Sequence, residues 1–423
     1  MKLIYIDSIM SFQMYNYGFR GLDRRVIFLA LSRFIRATGR VSTFLFLPLI
    51  LIEVYRLSFI ISGLIIGSSA LVMALVQYYS GRWTDRIGRR FFLIIIPIPA
   101  AVFYLLMFFS VFDKVSVVYL LASWYGTIIT NSLQYPAIEA SVADITKTSQ
   151  RLSGFTLIRI MANMGAAIGP LIGGFISYYN FAYIFLVASV LTVVEIFILY
   201  YNVKETYFPP MKMIEKVKIN IFKTDHFFFL FTIIGILLGF ALRQDGPTLT
   251  VYAFDLKNLP IIDIGYIYSI NGLMVIALQM PILRIMSNHS NAVFWRGIGS
   301  LFYAAGFGLL GFRNSFAFIL VAMFIFTIGE DFMAPTTQTI ITTLAPADKK
   351  GTYIGSYNLI TSSGRFFGTF IGLYLLYVFR YIAGTFWFYI AVATIVISFL
   401  YIMMGNSFVR RISVSETDVL GKA

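Results

Sequence analysis

Residues 81–90 read Gly81-Arg82-Trp83-Thr84-Asp85-Arg86-Ile87-Gly88-Arg89-Arg90, expected to form a short, highly charged turn caught between two long apolar runs, 59–79 and 91–112. Five of these ten side chains carry full charge at neutral pH. Hydrocarbon cannot solvate them, since one charge at the centre of a spanning helix costs at least ~2.5–3.5 kcal/mol. Both apolar runs are therefore expected to end at this stretch, on one face of a membrane.

The alternation of apolar run and polar gap continues along the chain. A spanning helix needs about 20 mostly apolar residues. Such runs lie near 26–52, 59–79, 91–112, 116–143, 153–178 and 181–201, and again near 226–252, 263–286, 291–312, 315–344, 351–379 and 382–404. Twelve spans in two groups of six predict an all-α integral membrane protein. Of 423 residues, 59% are hydrophobic and 12% charged, with mean hydropathy +0.82. Soluble domains carry about 25% charged residues. Lipid must cover part of so much apolar surface, which makes the bilayer the first partner.

The net charge of +14 does not point to nucleic acid, because the basic residues gather in alternate gaps. Arg20, Arg24, Arg25, Arg82, Arg86, Arg89, Arg90, Lys147, Arg151, the lysines of 204–223, Lys349, Lys350, Arg410 and Arg411 stand on one side. Arg56, Lys114, Lys257, Arg313 and Arg380 stand on the other. Lys and Arg concentrate in cytoplasmic loops, so both termini of this cell-membrane protein are expected in the cytoplasm. Residues 1–25 lack the features of a signal peptide and read as a cytoplasmic arm. Residues 26–201 form a first six-helix half, 202–225 a basic cytoplasmic linker broken by Pro209-Pro210, 226–404 a second half and 405–423 a cytoplasmic tail. Cysteine is absent and histidine is limited to His226 and His289, so no disulfide, thiol chemistry or metal site is expected. No Gly-x-x-x-x-Gly-Lys-Ser/Thr loop is present. Nothing marks an enzyme or a cofactor, and a proton gradient acting on buried carboxylates is the economical energy source.

The two groups of six repeat one another. Pro136 recurs as Pro335, and Gly165, Gly169 and Gly173 recur as Gly364, Gly368 and Gly372, each 199 residues later. Four coincidences at one offset indicate duplicated six-helix units.

The pattern Gly81-x-x-x-Asp85-Arg86-x-Gly88-Arg89-Arg90, placed after the second span, resembles the loop between helices 2 and 3 of major facilitator superfamily (MFS) transporters. That resemblance implies twelve helices as two parallel repeats, with a substrate site near the midplane at their interface. It also implies a conformational latch, in which Asp85 faces the start of helix 11 near Gly351 and Arg89 bridges to Asp144 at the end of helix 4. The corresponding second-half segment, Leu283-Arg284-Ile285-Met286-Ser287-Asn288, lacks the Asp and Gly, so the latch is one-sided. Gly165-Ala166-Ala167-Ile168-Gly169-Pro170-Leu171-Ile172-Gly173-Gly174 resembles the Gly-Pro motif of MFS antiporters, especially drug exporters. Glycines four apart also let a neighbouring helix approach closely.

Charged and polar residues inside the spans are the sharpest functional signal. Arg33, Arg36 and Arg40 share one face of the first span, and Arg33 is placed to snorkel to the surface. Arg159 and Asn163 form a stripe on the fifth, repeated as Asn358 and Ser362 and extended by Arg365 on the eleventh. The acids are Glu139, Glu195, Asp245, Glu330 and Asp331, with Asn131 and Gln134 near Glu139. Arg36, Arg40, Asn131, Glu139, Arg159, Asn163, Asp245, Asn358 and Arg365 are expected to line a central cavity. Glu195, on the sixth span, is the acid least expected at a site. Glu330 and Asp331 are the first candidates for the coupling proton, because their first-half counterparts are Asn131 and Ser132. Glu139 and Asp245 come second, and Arg36, Arg159 and Arg365 are possible switching partners. Each acid has a plainer reading, neutralisation of a nearby arginine. The expected activity is proton-coupled export of small organic or amphipathic compounds by a monomer working through alternating access. Uptake of a sugar or organic anion is the alternative, and a sensor on the same scaffold a lesser one.

Overall fold

A computed structural model describes residues 21–147, 150–206, 225–287, 291–312, 315–345 and 350–420, with backbone alone at 82, 152, 350–352 and 411–420. Twelve long helices follow one another: α1 Arg24–Val54, α2 Phe59–Ile87, α3 Phe91–Phe112, α4 Val117–Ile145, α5 Arg151–Tyr179, α6 Tyr183–Asn202, α7 His226–Leu256, α8 Ile261–Ser287, α9 Ala292–Phe312, α10 Phe316–Leu344, α11 Lys350–Val378 and α12 Ala383–Leu420. No strand occurs among the described residues. Eleven of these helices are long and apolar enough to cross a membrane. The exception, α4, is 29 residues long, but Asn131, Gln134, Glu139 and Asp144 lower its hydropathy. Exposed Phe, Leu, Ile and Val side chains such as Phe109, Phe175, Leu230 and Val392 stud the helices, as lipid contact requires. Tyr178, Tyr179, Tyr200, Tyr201 and Tyr381 stand exposed at helix ends, where amphipathic rings meet headgroups.

The charged stretch is mostly helical. α2 runs on through Gly81–Ile87 and stops only at Gly88, whose φ of 105° a side chain rarely adopts. Helices of 29 residues span about 43 Å, more than the ~30 Å hydrocarbon core, so charges in the last two turns still clear the lipid. α12 likewise extends well beyond 404, to Leu420.

The chain divides into two compact units. One holds residues up to Thr43 and those from Val76 into the linker; the other holds Phe44–Leu75 and the residues after the linker. The ends of α1 and α2 around their short connection thus cluster with the second half. Glycine permits this: Cβ atoms built at Gly63 and Gly67 would lie 3.1 Å from the Thr369 carbonyl and 2.8 Å from the Phe366 carbonyl of α11. Within each unit the repeat is visible. α3 packs on α4 and α6 as α9 packs on α10 and α12. Gly165 and Gly169 of α5 meet the α1 backbone at Phe34–Thr38, and Gly364 and Gly368 of α11 meet the α7 backbone at Ile236 and Phe240. A Cβ at Gly169 would sit 2.6 Å from the Thr38 carbonyl oxygen, so close packing accounts for these glycines. Pro170, Gly173 and Gly174 lie buried in the same helix.

Candidate functional site

In the first unit Arg89 lies between the two acids Asp144 and Asp85. Arg89 Nε donates to Asp144 Oδ2 at 3.1 Å, and Nη1 donates to Asp85 Oδ1 at 3.2 Å and the Thr84 carbonyl at 2.8 Å. Asp85 is 64% exposed, so its share of the ion pairing is small. The side chains around Gly351, its expected partner, lie outside the described residues. A residue missed in the sequence completes the cluster. Glu205, just past α6, accepts the backbone N–H groups of Arg89 at 3.0 Å and Arg90 at 3.1 Å. Orphan N–H groups and the positive end of the dipole at a helix start favour such a carboxylate. Arg90 also lies over the Tyr200 ring at 5.6 Å, while Arg86 is exposed and Gly81 has nothing against it. An acid in a nominal linker carries no local signal of this role.

The three α1 arginines separate. Arg33 stacks over Tyr135 at 4.6 Å. Arg36 is 7% exposed and pairs with Glu195 of α6, which is 1% exposed and also accepts from Gln134 at 3.2 Å. Glu195 is therefore the buried counter-ion of Arg36, and Arg36 is enclosed rather than facing a cavity. Arg40 is exposed. Asn131 donates to Tyr104 Oη at 3.3 Å and the Thr127 carbonyl at 2.8 Å. Glu139, Arg159 and Asn163 are half-buried.

The second unit holds a cavity of about 370 Å³, and a break in α7 forms part of its lining. A 3₁₀ turn at Arg243–Asp245 leads into Gly246-Pro247, where proline supplies no N–H and disfavours helix before it. Tyr268 of α8 repairs the break, donating to the Asp245 and Gly246 carbonyls at 2.9 and 2.8 Å. Non-helical backbone at membrane depth survives only where such partners or a cavity satisfy it. Asp245 thereby turns into the cavity, held by Tyr303 Oη at 3.1 Å. Glu330 of α10 lines the same cavity and accepts from Asn271 at 3.2 Å. Arg296 of α9 lines it too, donating to Thr337 and to Tyr357 Oη at 3.1 Å. Asp331 is 1% exposed and does not line it, because adjacent helical residues point about 100° apart. Asn358 is exposed, and Arg365 half-buried, with a buried Nε lacking a hydrogen bond. Tyr303 is the repeat counterpart of Tyr104: one binds Asn131, the other a carboxylate. Glu330 stands where the first unit has Asn131, and Asp245 where it has Phe46.

Twelve long helices in two repeating units, a broken helix and carboxylates around a cavity define a multi-pass membrane transporter. The Major Facilitator Superfamily profile matches residues 29–369, and the chain belongs to that family. It is 25% identical over 242 residues to the uncharacterized MFS-type transporter YttB of Bacillus subtilis, a match covering 56% of this chain and 60% of that one. It is 24% identical to a Na(+), Li(+), K(+)/H(+) antiporter of Planococcus maritimus, over 72% of this chain and 79% of that one. It is 23% identical to the quinolone resistance protein NorA of Staphylococcus aureus, over 73% and 79%. Among solved structures, a POT family transporter in complex with 5-aminolevulinic acid superposes with TM-score 0.78 at 16% identity, covering 92% of this chain and 98% of that one. Family and relatives are transporters, so the chain is a membrane transporter of small molecules and not an enzyme.

Proposed function

We propose that this transporter exports small organic or amphipathic compounds in exchange for protons, with both termini in the cytoplasm. One observation carries the reading. Asp245 at the α7 break and Glu330 on α10 face one cavity, bound by the neutral donors Tyr303 and Asn271. A carboxylate facing a cavity can bind a proton or the cationic group of a substrate, but not both at once. Substrate and proton then compete for the same oxygens, which is the minimum an antiporter needs. Two relatives support it by their names, the quinolone resistance protein and the cation/proton antiporter. Coupling then belongs to the second repeat, because the first-half counterparts of Asp245 and Glu330 are Phe46 and Asn131, which carry no carboxyl. The coupling role passes from the Glu330–Asp331 pair to Glu330 with Asp245.

The test uses proteoliposomes with an imposed pH gradient and two probes, ethidium and a quinolone. Probe addition should discharge the gradient, and Asp245→Asn and Glu330→Gln should each abolish that discharge and weaken probe binding. Full pH-driven transport in the double variant would place the coupling elsewhere, and absence of any probe-driven proton flux would remove proton-coupled export.

A further inference from the structure

We propose that the second-unit cavity selects bipolar solutes, molecules carrying an ammonium and an anionic group about 10 Å apart. The inference rests on reading this cavity as the substrate site. Its first pole is Asp245 with Glu330; its second is Arg296. The register of α9 and α10 sets their separation. Tyr303, which holds Asp245, is seven residues from Arg296 on α9, and Glu330 is seven residues from Thr337, the Arg296 partner, on α10. Seven residues are about 10.5 Å of helix.

Arg296 is 6% exposed, yet its partners are all neutral: Thr337, Tyr357 Oη and, at 3.5 Å, the Met333 carbonyl. The guanidinium lies 5.6 Å from the Phe231 ring and 5.3 Å from the Tyr401 ring. Its Nε has no hydrogen-bond partner. Among the described residues, no carboxylate comes within ion-pair distance of it. A buried cation without a counter-ion is costly, and that cost falls when an anion arrives with matching geometry. Asp245 likewise has no cation within ion-pair distance among the described residues. The two poles do not neutralise one another, being two helical turns apart. A solute with both charges satisfies each pole, whereas a singly charged one leaves the other uncompensated. Leu242, Met323, Met333 and Ala334 of the cavity lining accept an apolar bridge between the charged ends.

The test is equilibrium binding to the purified full chain in detergent, with no gradient. The probes are 8-aminooctanoate, whose eight bonds from nitrogen to carboxyl carbon span about 10 Å when extended, given C–C and C–N bonds of about 1.5 Å, 8-aminooctanamide with only the cation, N-acetyl-8-aminooctanoate with only the anion, and 4-aminobutanoate with the charges too close. 8-Aminooctanoate should bind at least about tenfold more tightly than the other three, since one charge-assisted hydrogen bond contributes about that factor. Arg296→Gln should reduce its affinity to that of 8-aminooctanamide and leave the amide unchanged; Arg296→Lys should restore part of the preference. Equal affinity for 8-aminooctanoate and 8-aminooctanamide in the unaltered protein overturns the proposal, as does no binding of any probe at tens of millimolar. The comparison among probes needs no variant, so a misfolded Arg296→Gln cannot rescue it. Probe-driven proton flux measured on the same preparation separates the two readings: flux without bipolar preference sinks only this inference, and bipolar preference without flux sinks only proton coupling.

Discussion

Removing Glu195 should destabilise the protein more than any loss among its exposed ion pairs. Glu195 and Arg36 are 1% and 7% exposed, and they come from α6 and α1, 159 residues apart in sequence. Breaking a buried pair by deleting one partner costs about 3–5 kcal/mol, because the surviving charge stays buried; replacing both by apolar groups is often neutral or stabilising. Arg36 is poorly placed to find another acceptor, since its Nε and Nη1 already lack hydrogen bonds. Glu195→Leu and Arg36→Leu should therefore each lose about 3–5 kcal/mol, while the double variant returns to within about 1 kcal/mol of the parent. The assay is reversible unfolding in mixed micelles with increasing dodecyl sulfate, followed by tryptophan fluorescence, with a double-mutant cycle isolating the coupling. Single variants that each lose less than about 1 kcal/mol would refute the reasoning, and a cost-free Arg36→Leu would show that Glu195 is held neutral.

Three further outcomes are expected. Gly88→Ala places a Cβ 2.8 Å from Glu205 Oε2 at a φ of 105°, so it should cost about 1–3 kcal/mol, and the exposed Glu205→Ala about 0.5–1.5 kcal/mol; a Glu205→Ala without measurable cost in the same unfolding assay would deny Glu205 its place at the α3 start. Gly67→Leu should lift the α2 end off α11, exposing Ser62, which is fully buried, and a Ser62→Cys thiol should then react faster with a membrane-impermeant maleimide; an unchanged rate would show that the contact is not tight. For topology, a cysteine at Lys114 should label in intact cells and one at Gln150 should not, and the reverse pattern would invert the orientation.

Much of the architecture was legible in the chain because lipid imposes a one-dimensional rule. Every run of about 20 apolar residues must cross, and every cluster of charge must not, so residue order alone announces twelve helices and the charged boundary at 81–90. The repeat was legible for a similar reason: Gly165, Gly169, Gly364 and Gly368 sit where backbones touch, and backbone contact tolerates no side chain. Charge pairing was not legible. Glu195 was the acid with least claim to a site and became the counter-ion of Arg36, since which buried charges meet depends on rotations of helices far apart in sequence. Arg296 gave no warning near the start of its span, and Glu205 none in the linker. Glu330 and Asp331 were alike as neighbours in sequence, but the 100° turn between successive residues of α10 brought one to the cavity and buried the other elsewhere. Helix periodicity and hydrophobicity are properties of neighbours along the chain; the poles of the cavity are set by packing across it.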